Sequence, residues 1–252
     1  MPNDLNTTAT RVALVTGAAR RIGKTIATAL HARGLNVIIH YRNSDADAAT
    51  LAAELNATRQ DSARTLQADL DDPNAVRELA QQALAQWQRL DVLVNNASSF
   101  YATPFGEASD EDWERLLHSN LRAPFILTQA LAPALSAHQG SIVNLIDVYA
   151  QKPLFQHNLY CMAKAGLQSL TLSAARELGP DIRVNGVAPG PIMWPEQGQQ
   201  NQNDIIQATA LKRTGQPEDI ANAVQWLALD ASFVTGQILA VDGGRSLSLA
   251  GG

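Results

Sequence analysis

Cysteine is almost absent from this 252-residue sequence, which contains only Cys161. A single cysteine excludes an intramolecular disulfide framework and a zinc site built from several cysteines, and no metal site is expected. Basic residues are in the minority, with 19 Lys and Arg against 24 Asp and Glu and a formal net charge of −5. This mild acidity argues against nucleic acid or an anionic membrane as the main partner.

Long apolar runs are also missing. No stretch of about 18 or more apolar residues is present, so no membrane-spanning helix is expected. Residues 1–10 are polar and lack a basic segment followed by an apolar one, which predicts a flexible N-terminal segment of a cytoplasmic protein and no secretory signal. With 46% hydrophobic and 17% charged residues, the remainder, 11–252, is expected to form one globular domain.

Short apolar runs alternate with helical patterns along the chain. The runs do not alternate polar and apolar residues, which is typical of strands buried on both faces. The alternation of strands and helices along the chain predicts an α/β fold of the Rossmann type, a doubly wound parallel sheet flanked by helices on both faces. In this fold ligands bind beyond the carboxyl ends of the strands. Strands are predicted at 12–15, 37–39, 65–68, 92–94, 141–146, 183–187 and 238–241, and helices at 22–33, 46–55, 75–87, 111–121, 124–135, 159–178 and 217–229.

One segment breaks this alternation. Residues 193–204 are rich in Gln, Asn and Gly, which predicts an irregular segment and no buried helix. Its length suits a mobile substrate flap, which we place near 191–210, with Trp194 expected to cover the substrate.

A glycine turn follows the first predicted strand and opens the first helix. It reads Thr-Gly-Ala-Ala-Arg-Arg-Ile-Gly over residues 16–23. Gly17 permits a tight turn, and Gly23 allows the helix to pack closely on the strand, so that helix N–H groups face a pyrophosphate. The turn predicts dinucleotide binding by Gly17, Arg20, Arg21, Ile22 and Gly23.

The residues after the second strand favour the phosphorylated cofactor. The acid that would bind a ribose 2′-hydroxyl is missing, and residues 40–44 read His-Tyr-Arg-Asn-Ser. An arginine with hydroxyl and imidazole donors suits a 2′-phosphate, so NADPH is favoured over NADH. Asp69, after the third strand, is expected to accept a hydrogen bond from the adenine amino group. This end of the cofactor is predicted to contact His40, Tyr41, Arg42, Ser44, Asp69 and Leu70.

Tyr160 and Lys164 are four residues apart and share one face of a predicted helix. A phenol has a pKa near 10, too high for easy proton transfer at neutral pH. A nearby ammonium favours the phenolate, so Lys164 is expected to lower the pKa of Tyr160 and make it a competent general acid or base. Lys164 is also expected to hydrogen-bond the nicotinamide ribose.

The order of these motifs resembles the short-chain dehydrogenase/reductase family from residue 11 to about 247. Further matching pieces are Asn95-Asn96-Ala97, Asn120, Pro189-Gly190 and Val241-Asp242-Gly243-Gly244. The resemblance implies hydride transfer from a nicotinamide, a dimer or homotetramer, and a water-linked proton path from Asn120 to the lysine. It also implies cofactor contacts by Asn96, Ala97, Ser98, Tyr160, Lys164, Pro189 and Gly190.

Three departures from the family pattern narrow the substrate. Asp147 stands 13 residues before Tyr160, where most members place a serine. A carboxylate cannot donate a hydrogen bond to a carbonyl, but with Tyr160 it can relay a proton toward a ring nitrogen. Arg21 replaces a glycine and can lie across the cofactor phosphates. Phe100, in the stretch Asn-Ala-Ser-Ser-Phe, can stack on a flat ring, and Ser98 can hydrogen-bond it.

Together these changes resemble the pteridine reductases of the family, which reduce pterins, and in some cases folates, with NADPH. We therefore expect reduction of a dihydropterin to its tetrahydro form, with oxidised pterin or dihydrofolate as further substrates. A carbonyl reductase acting on a 3-oxoacyl thioester and a non-catalytic NADP-binding sensor are the alternatives. Pro191 replaces a serine found in some pteridine reductases, which leaves the substrate range open. The expected catalytic residues are Asn120, Asp147, Tyr160 and Lys164, and the expected substrate residues are Arg21, Ser98, Phe100, Asp147, Tyr160 and Trp194, with His157 at the mouth of the pocket.

Overall fold

The computed structural model describes residues 10–193 and 202–248. Within them, seven parallel strands form one sheet in the order β3-β2-β1-β4-β5-β6-β7. The predicted doubly wound α/β fold is therefore confirmed. The strands are β1 (Val12–Val15), β2 (Asn36–Tyr41), β3 (Ala63–Gln67), β4 (Val92–Asn95), β5 (Ser141–Leu145), β6 (Arg183–Pro189) and β7 (Ile238–Val241).

Helices connect the strands and cover both faces of the sheet. They are α1 (Arg21–Ala32), α2 (Asp45–Thr58), α3 (Pro73–Trp87), α4 (Asp110–Leu117), α5 (Ala123–Ser136), α6 (Asn158–Glu177), α7 (Gln202–Ala208) and α8 (Pro217–Leu229). Short 3₁₀ turns lie at Val148–Ala150 and Arg245–Leu247.

The strands are apolar throughout because both of their faces are buried. In β1, Ala13 and Val15 belong to the core formed with α1, α2 and α8, whereas Val12 and Leu14 belong to the core formed with α3, α5 and α6. Successive strand residues point to opposite faces, so a two-sided core needs an unbroken apolar run.

The ligand cleft follows from the strand order. β1 pairs with β2 on one side and with β4 on the other, so the chain reverses direction across the sheet at β1. The loops after β1 and β4 therefore diverge and leave a crevice at the carboxyl ends of the strands.

Two predicted segments need correction. The irregular segment predicted at 193–204 is helical at its end, because α7 begins at Gln202. Thr209 is fully buried directly after α7, and its hydroxyl donates to the Ile205 carbonyl at 2.8 Å, so burial of Thr209 holds a helix that the polar composition did not indicate. The helices predicted at 111–121 and 124–135 are joined by a π-helical turn at His118–Arg122.

Several predicted features lie outside the described residues. These are nearly all of the N-terminal segment 1–10, the middle of the flap at 194–201, and Trp194. In the described part of the chain, no helix is both long and apolar enough to span a membrane.

Gly23 and Gly166 provide a matched test of the close approach between α1 and β1. A Cβ at Gly23 would lie 2.2 Å from the Gly17 carbonyl oxygen, whereas a Cβ at Gly166 in α6 would meet the Leu121 side chain at 2.7 Å. The backbone at Gly17 cannot move aside for a new Cβ, whereas the Leu121 methyl group can. We expect Gly23→Ala to lower the free energy of unfolding by about 1–3 kcal/mol. Gly166→Ala should stay within about 1 kcal/mol of the wild type, because helix propensity offsets the contact.

Urea denaturation of both variants measures these free energies of unfolding. Equal losses of stability in the two variants would show that the backbone approach at Gly23 has no special role.

Candidate active site

The glycine turn after β1 is held by hydrogen bonds from the start of the loop after β4. The Thr16 hydroxyl oxygen accepts from the backbone N–H groups of Asn96 (2.9 Å) and Ala97 (3.0 Å). The Asn96 amide donates to the Thr16 carbonyl at 2.8 Å. Gly17 has a φ of +61°, and a Cβ there would lie 3.0 Å from the Ala97 Cα. A glycine is therefore required at this position by both conformation and space.

His40 holds the other side of the turn. Its Nδ1 accepts from the Gly17 N–H at 3.0 Å, and its Nε2–H donates to the Ala68 carbonyl at 3.2 Å. Burial lowers the pKa of His40 to about 4, so the imidazole is neutral. The prediction that His40 donates to a 2′-phosphate needs correction, because its one N–H already bonds Ala68; the ring shapes the turn instead.

Arg21 occupies a strained position at the start of α1. Its φ is +55°, in the left-handed region that an L side chain enters at a cost of roughly 1–2 kcal/mol. This explains why glycine is common there in the family. Because an arginine retained in a strained conformation indicates a function for its side chain, Arg21 stays a predicted ligand contact. The neighbouring Arg20 forms an exposed ion pair with Asp47 at 3.6 Å.

A cleft of about 500 Å³ lies along the carboxyl ends of β1, β2 and β4. It brings together most of the residues predicted for the cofactor and adds several that the sequence did not indicate. The predicted lining residues are Gly17, Arg20, Arg21, Ile22, Gly23, His40, Tyr41, Arg42, Ser44, Asp69, Leu70, Asn96, Ala97 and Ser98, and the additional ones are Ala19, Asn43, Asp71, Ser99 and Ser119.

The cleft fits a dinucleotide by two features of the chain. No side chain caps the N-terminus of α1, and no acid lies in its first turn, so backbone N–H groups and the positive end of the helix dipole face the cleft. Gly17 and Gly23 leave room that a Cβ would fill.

Arg42 lies at the end of the cleft that is predicted to receive the adenosine. Its guanidinium pairs with Asp69 at 2.8 Å and with Asp71 at 2.9 Å. Burial raises the pKa of Asp71, and Arg42 and Arg115 oppose that rise. Asp71 was not among the predicted site residues, although its position shortly after β3, at the same sheet edge as Arg42, was an available signal.

The catalytic candidates meet where β5 ends and α6 begins. Asp147 lies two residues after β5 and caps the next 3₁₀ turn, its Oδ1 accepting the Tyr149 N–H at 2.9 Å. The Tyr160 hydroxyl, on the first turn of α6, donates to the Asp147 Oδ2 at 2.7 Å. Burial raises the pKa of Asp147, while the Tyr149 N–H, the Tyr160 hydroxyl and the charge of Lys164 oppose the rise.

Lys164 lies one turn further along α6 and is 2% exposed. Its ammonium donates to the Leu145 carbonyl at 2.8 Å and stands 5.7 Å from the centroid of the Tyr160 ring. Burial lowers the pKa of Lys164 to about 8, and the charge of Asp147 opposes the shift.

The expected effect of Lys164 on Tyr160 needs correction. The pKa of Tyr160 is raised well above its usual value, first by burial and then by the charge and hydrogen bond of Asp147, with the Ser98 hydroxyl opposing. The carboxylate is in direct contact with the phenol whereas the ammonium bonds Leu145, so the negative charge of Asp147 reinforces the effect of burial. Tyr160 is thereby kept protonated, as a proton donor must be.

Asn120 lies in the π-helical turn at His118–Arg122, an irregularity that often marks functional sites. Its Oδ1 accepts from the Ser98 hydroxyl at 2.6 Å, and its amide donates to the Ser99 and Leu116 carbonyls, both at 2.9 Å. The turn thus connects Asn120 to the loop after β4. The proton path from Asn120 to the lysine stays a prediction.

Phe100 lies against Tyr160, and its role in binding a substrate ring stays a prediction. Its ring is 4.8 Å from the ring of Tyr160 in an edge arrangement (86°). It also stacks on His157 at 4.7 Å and 19°. The side chain is 41% exposed, so part of the ring is accessible to a ligand.

Pro189 and Gly190 lie at the end of β6, outside the cleft described above. The Gly190 N–H donates to the Val241 carbonyl at 3.1 Å, and a Cβ at Gly190 would lie 2.5 Å from the Asp242 Cβ. This close approach shows why a glycine follows the proline. The cofactor contact predicted for the two residues stays a prediction.

Comparisons with known proteins agree with this arrangement. A family model described as enoyl-(acyl carrier protein) reductase matches residues 17–246. Pteridine reductase 1 of Leishmania tarentolae is 40% identical, covering 95% of this chain and 97% of that protein. The 3-oxoacyl-(acyl-carrier-protein) reductases of Synechocystis sp. (37% identical; 93% and 96% covered) and Staphylococcus aureus (36%; 93% and 98%) are also similar.

The fold, the glycine turn and the Tyr–Lys pair thus define an oxidoreductase that uses NAD(P)H. The chain belongs to the short-chain dehydrogenase/reductase family, as its motifs predicted.

The contacts of Lys164 predict the pH dependence of reduction. The wild-type kcat/KM should fall as pH rises through about 8, where Lys164 loses its proton. Asp147→Asn removes the negative charge that raises the pKa of Lys164, so the alkaline limb should move to lower pH. The rate should fall by about 10²-fold or more if proton delivery needs the carboxylate.

Steady-state pH profiles of both proteins measure this shift. Asp181→Asn, which changes an exposed carboxylate before β6 at the opposite end of the sheet, is the control. An alkaline limb that stayed in place or moved upward in Asp147→Asn would contradict the electrostatic coupling.

Proposed function

We propose that this protein is an NADPH-dependent pteridine reductase that reduces a dihydropterin to the tetrahydro form, with oxidised pterin or dihydrofolate as further substrates. The observation that carries the proposal is the 2.7 Å hydrogen bond from Tyr160 to Asp147, at the position where most family members have serine. The 40% identity to a pteridine reductase over most of both chains supports it.

A carboxylate beside the catalytic phenol favours a ring nitrogen over a ketone. A ketone becomes an oxyanion as it is reduced, and a neighbouring carboxylate would raise the energy of that charge. The nitrogen of a C=N bond is more basic than a carbonyl oxygen and can take up its proton as the hydride arrives, so little negative charge develops on it. Asp147 therefore suits reduction of a pterin ring better than reduction of a carbonyl.

Proton delivery is assigned to Tyr160. NADPH, when held in the cleft after β1 and β4, would supply a hydride to the carbon of the C=N bond. The Tyr160 O–H transfers its proton to the nitrogen, and Asp147, whose pKa is raised, can return a proton taken from solvent. Lys164 stabilises the transient phenolate from beneath the ring. Hydride and proton together complete the reduction, so no further reactant is needed.

Recognition of the substrate ring is assigned to the loop after β4 and to Arg21. The exposed part of Phe100 can stack on a flat heterocycle, an arrangement worth roughly 0.5–1.5 kcal/mol beyond the area buried. Ser98 carries a hydroxyl within the same loop, and Arg21 adds donors at the cleft. Trp194 remains a proposed cover of the site.

NADPH is proposed over NADH because of Arg42. The cleft residues from the end of β2, which are His40, Tyr41 and the following Arg42, include no carboxylate that would bind the adenosine ribose. Arg42 offers instead a forked guanidinium that suits a 2′-phosphate. Its present partners, Asp69 and Asp71, keep the guanidinium at the mouth of the cleft. A 2′-phosphate would take over part of this pairing.

We also propose a homotetramer located in the cytoplasm. Large apolar side chains on α5 and α6 are exposed, including Phe125 (49%), Met162 (50%) and Leu172 (46%). Exposed apolar faces of this kind suit contacts between subunits.

The alternative function is reduction of a 3-oxoacyl thioester. The similarity to two 3-oxoacyl-(acyl-carrier-protein) reductases, at 36–37% identity over nearly whole chains, favours it. Asp147 argues against it for the reason given above.

The test is NADPH oxidation by the purified protein, followed by absorbance, with 7,8-dihydrobiopterin, 7,8-dihydrofolate and acetoacetyl-CoA. We expect turnover of the dihydropterin, slower turnover with NADH, and a loss of about 10²-fold or more in Tyr160→Phe because the proton donor is removed. Tyr101→Phe, which removes a phenol that interacts with Asp112 and has no assigned role in the site, is the matched control. Turnover of acetoacetyl-CoA alone would establish the alternative, and binding of NADPH without turnover of any substrate would revive a sensor.

A further inference from the structure

The loop that carries Phe100 is fastened to the start of α6. We call residues 98–105 the Phe100 loop. The Thr103 N–H donates to the Gln156 carbonyl at 2.6 Å, and the Asn158 amide donates to the Thr103 carbonyl at 2.6 Å. Thr103 is 2% exposed and forms a parallel bridge with His157. The loop is therefore joined by backbone contacts to the helix that bears Tyr160.

The connection to α6 is built with an unusual backbone. Gln156 has a φ of +61°, a left-handed conformation that is uncommon for a residue with a side chain. Its carbonyl is the one that accepts the Thr103 N–H. The chain before α6 is thus shaped to meet the Phe100 loop.

His157 completes this contact through its ring. The imidazole stacks on Phe100 with centroids 4.7 Å apart and planes inclined by 19°. Its own orientation is set at the other end, because Nδ1–H donates to the Phe155 carbonyl at 2.8 Å. The His157 carbonyl accepts the Cys161 N–H at 3.0 Å, which anchors the residue to the first turn of α6.

We propose that His157 is a positioning residue that holds the Phe100 ring in the plane that receives a flat substrate. The inference rests on the proposed pteridine reductase activity. A phenyl ring that is 41% exposed would otherwise change rotamer, and a ligand would have to fix it on binding. Stacking on His157 fixes the ring beforehand, which increases affinity for a planar heterocycle.

The position of the stack separates its effect from chemistry and cofactor binding. His157 contacts Phe100 but neither Asp147 nor Lys164 through any hydrogen bond or ring contact of the described residues. It also lies outside the cofactor cleft. Its removal should therefore change the KM for dihydropterin and spare both kcat and the KM for NADPH.

The test compares His157→Ala with His157→Phe, which keeps a ring able to stack. We expect His157→Ala to raise the KM and the Kd for 7,8-dihydrobiopterin by about 3- to 10-fold, as loss of one aromatic pair predicts, with kcat within about twofold. His157→Phe should restore both constants to within about twofold of the wild type. His138→Ala, an exposed histidine after α5, is the control.

Steady-state kinetics give KM and kcat, and calorimetric titration of the NADP⁺ complex with dihydrobiopterin gives Kd. A wild type that reduces dihydrobiopterin together with an unaffected His157→Ala would overturn the role of His157 alone. The role of His157 would also be overturned if His157→Ala changed the KM for NADPH and the KM for dihydropterin equally and His157→Phe did not restore them. Such a result would indicate a merely structural role. A wild type that neither binds nor reduces dihydrobiopterin would overturn the proposed function and this inference with it.

Discussion

The hydrogen bond from Tyr160 to Asp147 is the interaction on which the account of this site depends. It joins the end of β5 to the first turn of α6 at 2.7 Å. The carboxylate adds to the effect of burial in raising the pKa of the phenol and opposes the effect of burial on the pKa of Lys164, so one contact influences the protonation of the other two groups. A serine in its place would supply neither effect. The chemistry of the substrate is therefore constrained by a single side chain.

The rest of the fold brings this contact to a cofactor. Parallel strands end at one edge of the sheet, and the reversal of strand order at β1 opens the cleft there. The glycine turn keeps its shape because a neutral, buried His40 bonds it on one side and Asn96 on the other. Phe100 reaches the catalytic pair because its loop is attached to α6. Each group is held by backbone elements whose own positions are set by the two-sided core.

Sequence patterns predicted the features that depend on local chemistry. The unbroken apolar strands and the spacing of the Tyr–Lys pair gave the fold and the catalytic helix. Features set by contacts across the fold were missed or misjudged. The imidazole of His40 bonds the Ala68 carbonyl, burial and Asp147 raise the pKa of Tyr160 that Lys164 was expected to lower, and α7 forms although its composition is polar. The stack of His157 on Phe100 joins residues 57 positions apart, which no local pattern indicates.

The most direct test of the central claim is the substrate preference of Asp147→Ser, which restores the residue typical of the family. The measurement is kcat/KM for 7,8-dihydrobiopterin and for acetoacetyl-CoA in the wild type and the variant. The account predicts that the variant loses about 10²-fold or more on the dihydropterin and gains relative activity on the ketone. An unchanged ratio between the two substrates would contradict the claim that Asp147 selects a C=N bond.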